Sequence, residues 1–316
     1  MPEDLAVCSV PLRRRFRGVD VREVVLVRGR AGWGEFSPFR EYGDREALLW
    51  WRAACEAADK GWPPPVRSVV PVNATVPAVP AAEVARVLAR FPGCTTVKVK
   101  VAEPGRPVGE DLDRLAAVRE VVGVRGGVRV DANGAWDVDE AVARIRWYDR
   151  AAGGLEYVEQ PCSSVEELAA VRRRVDVPIA ADESVRRAAD PVRVARLGAA
   201  DLVVLKVQPL GGVRACLRLA DQLGLPVVVS SALETSVGIA AGLALAAALP
   251  ELPYACGLGT VGLLERDVVA DPLLPVGGVL HVRRPEPDCD LVRAATASDA
   301  ARRWWHERIT RVEALR

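Results

Sequence analysis

Between residues 68 and 260 the chain repeats one alternation. Short runs rich in β-branched residues give way to longer stretches whose apolar positions recur at three- and four-residue spacing. The runs are "SVVPVNATV", "TTVKVKV", "GVRVDAN", "LEYVEQ", "VPIAADES", "DLVVLKV", "LPVVVSS" and "PYACGLGT". Between them lie "AAEVARVLARF", "GEDLDRLAAVREVVG", "VDEAVARIRWYDRA", "SVEELAAVRRR", "DPVRVARLG", "GVRACLRLADQLG" and "TSVGIAAGLALAAAL". Pro and Gly mark the junctions. Strands separated by helices must run parallel, because each helix carries the chain back to the same end of the sheet. Such a sheet is either doubly wound or closed. No Gly-x-Gly-x-x-Gly follows an early strand, so the dinucleotide signature is missing. Residues able to do chemistry stand at the C-terminal end of strand after strand, where a barrel keeps its active site. The rhythm therefore predicts an α/β fold, a (β/α)7β barrel of the TIM type.

The flanks read differently. "PLRRRFRGVDVREVVLVRGRAGWGEFSPF" predicts two or three antiparallel strands with Gly turns, and "DREALLWWRAACEAADKGW" a helix ended by Pro63–Pro65. From about residue 278 come a short strand in "GVLHVRRP" and a terminal helix in "ATASDAARRWWHERITRVEAL". The expected organisation is an α+β capping domain over residues 1–67, joined by about 278–316, beside a barrel over 68–277.

Composition narrows the function classes. A net charge of +1 leaves no electrostatic footprint for nucleic acid or an anionic membrane. No apolar run is long enough to span a bilayer, and "MPEDLAV" lacks the basic-then-apolar layout of an export signal. Seven scattered cysteines, without a Cys-x-x-Cys pair, predict free thiols in a reducing, cytoplasmic compartment. With His281 and His306 the only histidines, a Cys/His zinc site or a histidine triad has little to work with.

The strand ends carry the chemistry. The second strand holds Lys98 and Lys100, alternating with Val97, Val99 and Val101. Lysines on alternate positions ordinarily mark a solvated edge. A closed barrel has no edge, so with the valines packed on the helices both lysines point inward. The next three strands end in Asp131, Glu159 and Asp182, and the sixth ends in Lys206. One Asp after a strand is commonly a helix cap. Three carboxylates on adjacent strands would repel, and a divalent cation removes that repulsion. Oxygen ligands without His or Cys favour a hard ion, Mg²⁺ over Zn²⁺. Lysines around such a metal are acid/base candidates for removing a proton α to a carboxylate.

With "KVK", "DAN", "VEQP", "ADES" and "LKVQPLGG" in this order, the sequence resembles the enolase superfamily, in its muconate-lactonising subgroup. The resemblance covers essentially the whole chain. It implies Asp131, Glu159 and Asp182 as Mg²⁺ ligands, Lys100 as the base, Lys98 as its supporting partner and Lys206 on the other side of the substrate. Asn133 and Glu183 would orient these groups from behind, although Asn133 also suits a helix cap. "VVVSSALETSVG" and "CGLGT" resemble the o-succinylbenzoate-forming branch, a lyase step of menaquinone biosynthesis. No acid lies in Gly257–Thr260, where the subgroup's dipeptide epimerases carry Asp-x-Asp. Ser230, Ser231, Gly259 and Thr260 are expected to present hydroxyls and N–H groups to a second substrate carboxylate. The expected reaction is a Mg²⁺-dependent syn dehydration of a small carboxylate substrate. N-succinylamino acid racemisation is the nearest alternative, followed by a muconate-type cycloisomerase and a non-catalytic carboxylate-binding barrel. Arg13, Arg14, Arg15 and Arg17 read as solvated surface rather than as site residues.

Overall fold

The computed structural model describes residues 5–16 and 18–316; Arg17 lies outside them. Twelve strands occur among the described residues: β1 (Leu5–Phe16), β2 (Val19–Gly29), β3 (Gly32–Phe36), β4 (Val69–Pro71), β5 (Ala74–Val76), β6 (Thr96–Lys100), β7 (Gly127–Asp131), β8 (Tyr157–Glu159), β9 (Ile179–Ala181), β10 (Leu202–Lys206), β11 (Val227–Ser230) and β12 (Val279–His281). Seven of them form one parallel sheet in the order β11-β10-β9-β8-β7-β6-β5, which is sequence order, as crossover helices require.

The eighth wall is shorter than its sequence run predicts. Cys256 and Gly257 form isolated parallel bridges to Val72 and Ser230, and so join the two ends of the sheet. The Cys256 N–H donates to the Pro71 carbonyl (2.8 Å) and the Gly257 N–H to the Val229 carbonyl (2.8 Å). The chain then turns into a short 3₁₀ segment, Gly259–Leu263. The first run also differs, because "SVVPVNATV" divides. β5 enters the barrel, while β4 pairs antiparallel with β12 outside it. "DPVRVARLG" yields only one helical turn, Arg193–Arg196, ended at Gly198 with φ +55°.

β6 lies between β5 and β7, so its lysines are not on an edge. Val97 and Val99 are fully buried in the same cluster as Leu115 and Val118 of the helix Val108–Val122. The other face looks into the barrel, whose interior holds Tyr157, Ala180, Leu202, Val204 and Val228. Below the mouth, buried Arg129 donates to Asn73 Oδ1 (3.1 Å) and the Ala255 carbonyl (2.7 Å), and its guanidinium lies 4.7 Å from the Tyr157 ring. Its Nε donates to Glu156, whose carboxylate offsets a charge that burial alone would make costly.

β1, β2 and β3 form an antiparallel sheet. The helix Asp44–Cys55 and the C-terminal helix Asp299–Glu313 pack on it through Phe36, whose ring sits 5.3 Å from Trp51 and 5.6 Å from Trp305 in edge-on contacts. Both ends of the chain therefore share one apolar layer. β12, the first part of the tail, stays with β4 instead.

Candidate active site

Parallel register puts the chemistry at one height. Lys100 pairs with Asp131 across β6 and β7, and Asp131 with Glu159 across β7 and β8. Asp182 follows β9 directly, and Lys206 ends β10 beside Ser230. Every one of these side chains arises from an inward slot at the C-terminal end of a strand.

The side chains are brought together. The Lys98 ammonium donates to Asp131 Oδ2 (3.2 Å) and to Glu159 Oε2 (2.9 Å). The Lys100 ammonium donates to Asp131 Oδ2 (2.5 Å) and Asn133 Oδ1 (2.8 Å). The Lys206 ammonium donates to Asp182 Oδ2 (2.5 Å), and Arg186 Nε to Asp182 Oδ1 (3.0 Å). Asn133 Nδ2 donates to Glu183 Oε1 (3.2 Å), which also accepts from Arg186 (2.5 Å). Asn133 and Glu183 thus connect Lys100 to the groups around Asp182.

Burial and neighbouring charge act against each other on these groups. Burial lowers the Lys100 ammonium, and Lys98 adds to that against the pull of Asp131 and Glu159. For Lys98 burial is outweighed by Glu159 and Asp131, which hold its ammonium above the ordinary range. Asp131 lies below the usual carboxylate range: burial would raise it, but Lys100 and Lys98 prevail. Asp182 is likewise held low by Arg186 and Lys206 in spite of burial. Glu159 is pushed up to about 7 by burial and then by the charge of Asp131.

Among the described residues no three acidic, histidine or cysteine side chains converge as a ready metal cage. Asp131, Glu159 and Asp182 are instead paired with Lys98, Lys100, Lys206 and Arg186. The donor chemistry still fits a hard divalent cation. These are three buried carboxylates on neighbouring strand ends, with no sulfur or imidazole among them.

Above this layer a cavity opens between barrel and cap. It is lined by Lys98, Lys100, Lys206, Asn133, Ser230, Ser231 and Thr260, all anticipated from the sequence, together with Phe16, Phe39, Thr75, Ala232, Leu233 and Gly257. Ser231 Oγ donates to the Gly257 carbonyl (2.8 Å) and lies 2.8 Å from Thr260 Oγ1. Gly259 does not line the cavity. It begins the 3₁₀ segment, and its open side faces the Asn73 carbonyl oxygen and the Phe91 ring. Gly257 lines it instead; a Cβ there would meet Ser230 Oγ at 2.5 Å. Phe16 and Phe39 come from the cap, so the barrel rhythm carried no signal for them. Arg186 had one: it stands four residues after Asp182, a helix-neighbour spacing.

Gln160, within "VEQP", is the most informative residue that the sequence reading left without a role. It is fully buried with φ +44°. Its Oε1 accepts from the N–H groups of Asp182 (2.9 Å) and Ser184 (3.2 Å). Its Nε2 donates to the Cys162 carbonyl (2.8 Å) and Ser184 Oγ (2.7 Å). Its Oε1 thus holds the backbone that aims Asp182, while its Nε2 ties Ser184 to the turn after β8. Gln160→Leu is expected to weaken Mn²⁺ or Mg²⁺ binding about 10- to 100-fold in a direct titration. Unchanged affinity would mean that the loop is held without it.

Residues 80–287 match the family described as Enolase C-terminal domain-like, and residues 7–58 match Enolase N-terminal domain-like. A curated relative from Thermobifida fusca, named o-succinylbenzoate synthase, is 69% identical over 276 residues, 87% of this chain and 86% of that one. A relative of the same name from Mycolicibacterium smegmatis is 56% identical over 313 residues, 99% of this chain and 96% of that one. Among solved structures, muconate lactonizing enzyme from Pseudomonas putida shares the fold with a TM-score of 0.77 at 22% identity, over 93% of this chain and 98% of that one. N-succinyl Arg/Lys racemase from Bacillus cereus does so with a TM-score of 0.78 at 21% identity, over 93% and 97%. The strand-end lysines and carboxylates thus sit in a shared fold and in sequence matches that span both parts of the chain: the protein belongs to the enolase superfamily.

Proposed function

We propose that this protein is an o-succinylbenzoate synthase, a lyase of menaquinone biosynthesis. It would dehydrate 2-succinyl-6-hydroxy-2,4-cyclohexadiene-1-carboxylate to o-succinylbenzoate. The observation that carries the reading is the cavity wall itself. Three ammonium groups face one small space, two of them from β6 and one from β10, so the site suits a substrate carrying more than one carboxylate. The name shared by relatives at 56–69% identity supports the dehydration over racemisation, since Lys100 and Lys206 would serve either.

Enolase-superfamily enzymes use a divalent metal. We assign it here as Mg²⁺, held by Asp131, Glu159 and Asp182 on the strength of their all-oxygen donor set. When bound, it supplies Lewis-acid stabilisation of the charge that builds on the substrate carboxylate. The chain's own residues do the rest. Lys100 in its neutral form accepts the proton α to the ring carboxylate. The C–O bond to the neighbouring hydroxyl then breaks, and the Lys100 ammonium returns the proton to the departing oxygen as water. One lysine suffices because both groups leave from the same face. Lys98 stays an ammonium between Asp131 and Glu159, and its charge disfavours a second ammonium at Lys100. Lys206 places a fixed positive charge beside the intermediate. Ring aromatisation drives the step.

The proposed division of labour is a capping domain over 1–67 with about 278–316 and a catalytic barrel over 68–277. Seven free thiols fit a cytoplasmic location. Incubating the protein with the cyclohexadiene substrate and Mg²⁺ should give o-succinylbenzoate, and EDTA should stop its formation. No product at saturating metal would end this reading.

A further inference from the structure

One wall of the cavity is built in an unusual way. After β11 the chain passes through Ser231, Ala232 and Leu233 before entering the helix Ser236–Ala248, and all three residues line the site. Leu233 is held at φ +64°, a left-handed conformation that a bulky L-residue avoids. Such a conformation persists only where its surroundings fix it.

What fixes it comes from the cap. Arg22, on β2 and only 3% exposed, donates through Nε to the Leu233 carbonyl (3.2 Å) and through a terminal nitrogen to the Ala232 carbonyl (3.3 Å). The same nitrogen reaches the Ser37 carbonyl. The guanidinium lies 4.2 Å from the centre of the Phe39 ring, and Phe39 is itself part of the cavity wall. The far end of the loop is clamped by Glu35 of β3. Its Oε2 accepts from the Thr235 N–H (3.1 Å), Thr235 Oγ1 (2.5 Å) and the Gly238 N–H (3.1 Å). Glu234 turns back to accept the Ala232 N–H (2.5 Å). A loop of the barrel thus takes its shape from side chains some 200 residues earlier in the chain.

We propose that Arg22 is a positioning residue for substrate selection: it holds the Ala232–Leu233 wall against which the non-reacting, acyl end of the substrate rests. This deepens the dehydratase reading and rests on it for the identity of that acyl end. Arg22 sets how well the remote part of the substrate is gripped and leaves the proton-transfer machinery alone. Binding of remote groups is what separates a good substrate from a truncated one.

The test uses Arg22→Met, which keeps a long unbranched side chain and removes the donors, and Arg22→Lys, which keeps an ammonium donor and the charge. For the succinyl substrate, Arg22→Met is expected to raise KM about 10-fold or more with a much smaller fall in kcat. For an analogue with acetyl in place of succinyl, KM should move little. Arg22→Lys should recover part of the loss, and Mn²⁺ affinity should stay at the wild-type value. Equal losses on both substrates, or an unchanged KM, would overturn the proposal. Amide hydrogen exchange supplies a readout independent of activity. Protection at Leu233–Thr235 should fall in Arg22→Met while β6–β11 keep theirs; unchanged protection in the loop overturns the proposal whatever the kinetics. A wild-type protein that dehydrates neither compound contradicts the dehydratase reading instead, and the exchange experiment still decides the role of Arg22.

Discussion

Lys100→Ala is expected to lose about 10⁴-fold or more in kcat for dehydration while still binding the metal. The expected size follows from removing the group proposed both to take and to return the proton, since a positioned acid or base supplies about 10²–10⁴-fold and in that proposal one residue serves twice. The neighbours offer no replacement. Lys98 is committed to Asp131 and Glu159, with its ammonium stabilised by both. Lys206 is tied to Asp182 on another part of the wall. Metal binding should survive because Lys100 is a cation paired with one of the proposed ligands; its removal takes a competing charge away from Asp131. Single-turnover kinetics with a parallel Mn²⁺ titration checks both halves. A variant that keeps a tenth of wild-type turnover would show that another group is the base.

The second large effect is expected at the middle carboxylate. Glu159 sits between Asp131 and Asp182 in the strand order, and its carboxyl is raised first by burial and then by the charges of both, part of which a cation would relieve. Glu159→Gln should weaken metal binding about 100-fold or more and lower dehydration in proportion. The stability readout is independent of activity. A ligand present at about 100 times its Kd stabilises the folded state by about 2.7 kcal/mol. Adding Mn²⁺ should therefore raise the melting temperature of the wild type and leave that of Glu159→Gln almost unmoved at the same concentration. An equal rise in both proteins would remove Glu159 from the proposed ligand set.

The layer of lysines and carboxylates was legible because its members lie at or near the ends of β-runs, where side-chain alternation and strand polarity together dictate direction. Lys98 and Lys100 show this well: with Val97 and Val99 packed on the helices, the lysines have only the barrel interior left. Carboxylates at the ends of three successive runs then fall at one height through parallel register. Three kinds of feature escaped. Phe16, Phe39 and Arg22 come from the antiparallel cap, and nothing in their local pattern says that the cap closes over the barrel. The wall at 256–257 is held by isolated bridges, too short for alternation to set a face, so nothing in the pattern distinguishes Gly257, which lines the cavity, from Gly259, which does not. Gln160 was visible as part of a motif, but its role depends on hydrogen bonds to residues more than 20 positions away, which spacing along the chain does not reveal.

Lys100 and Lys206 both face the cavity, so lysine placement alone fits an elimination from one face or a racemisation between two. The direct test is a comparison of kcat/KM in D₂O with Mg²⁺ present: dehydration of the cyclohexadiene carboxylate against α-deuterium exchange into N-succinyl amino acids. An elimination begun and completed by Lys100 predicts that dehydration is much the faster and that Lys100→Ala abolishes it. Exchange outpacing dehydration would contradict the account and make the lysines a racemase pair.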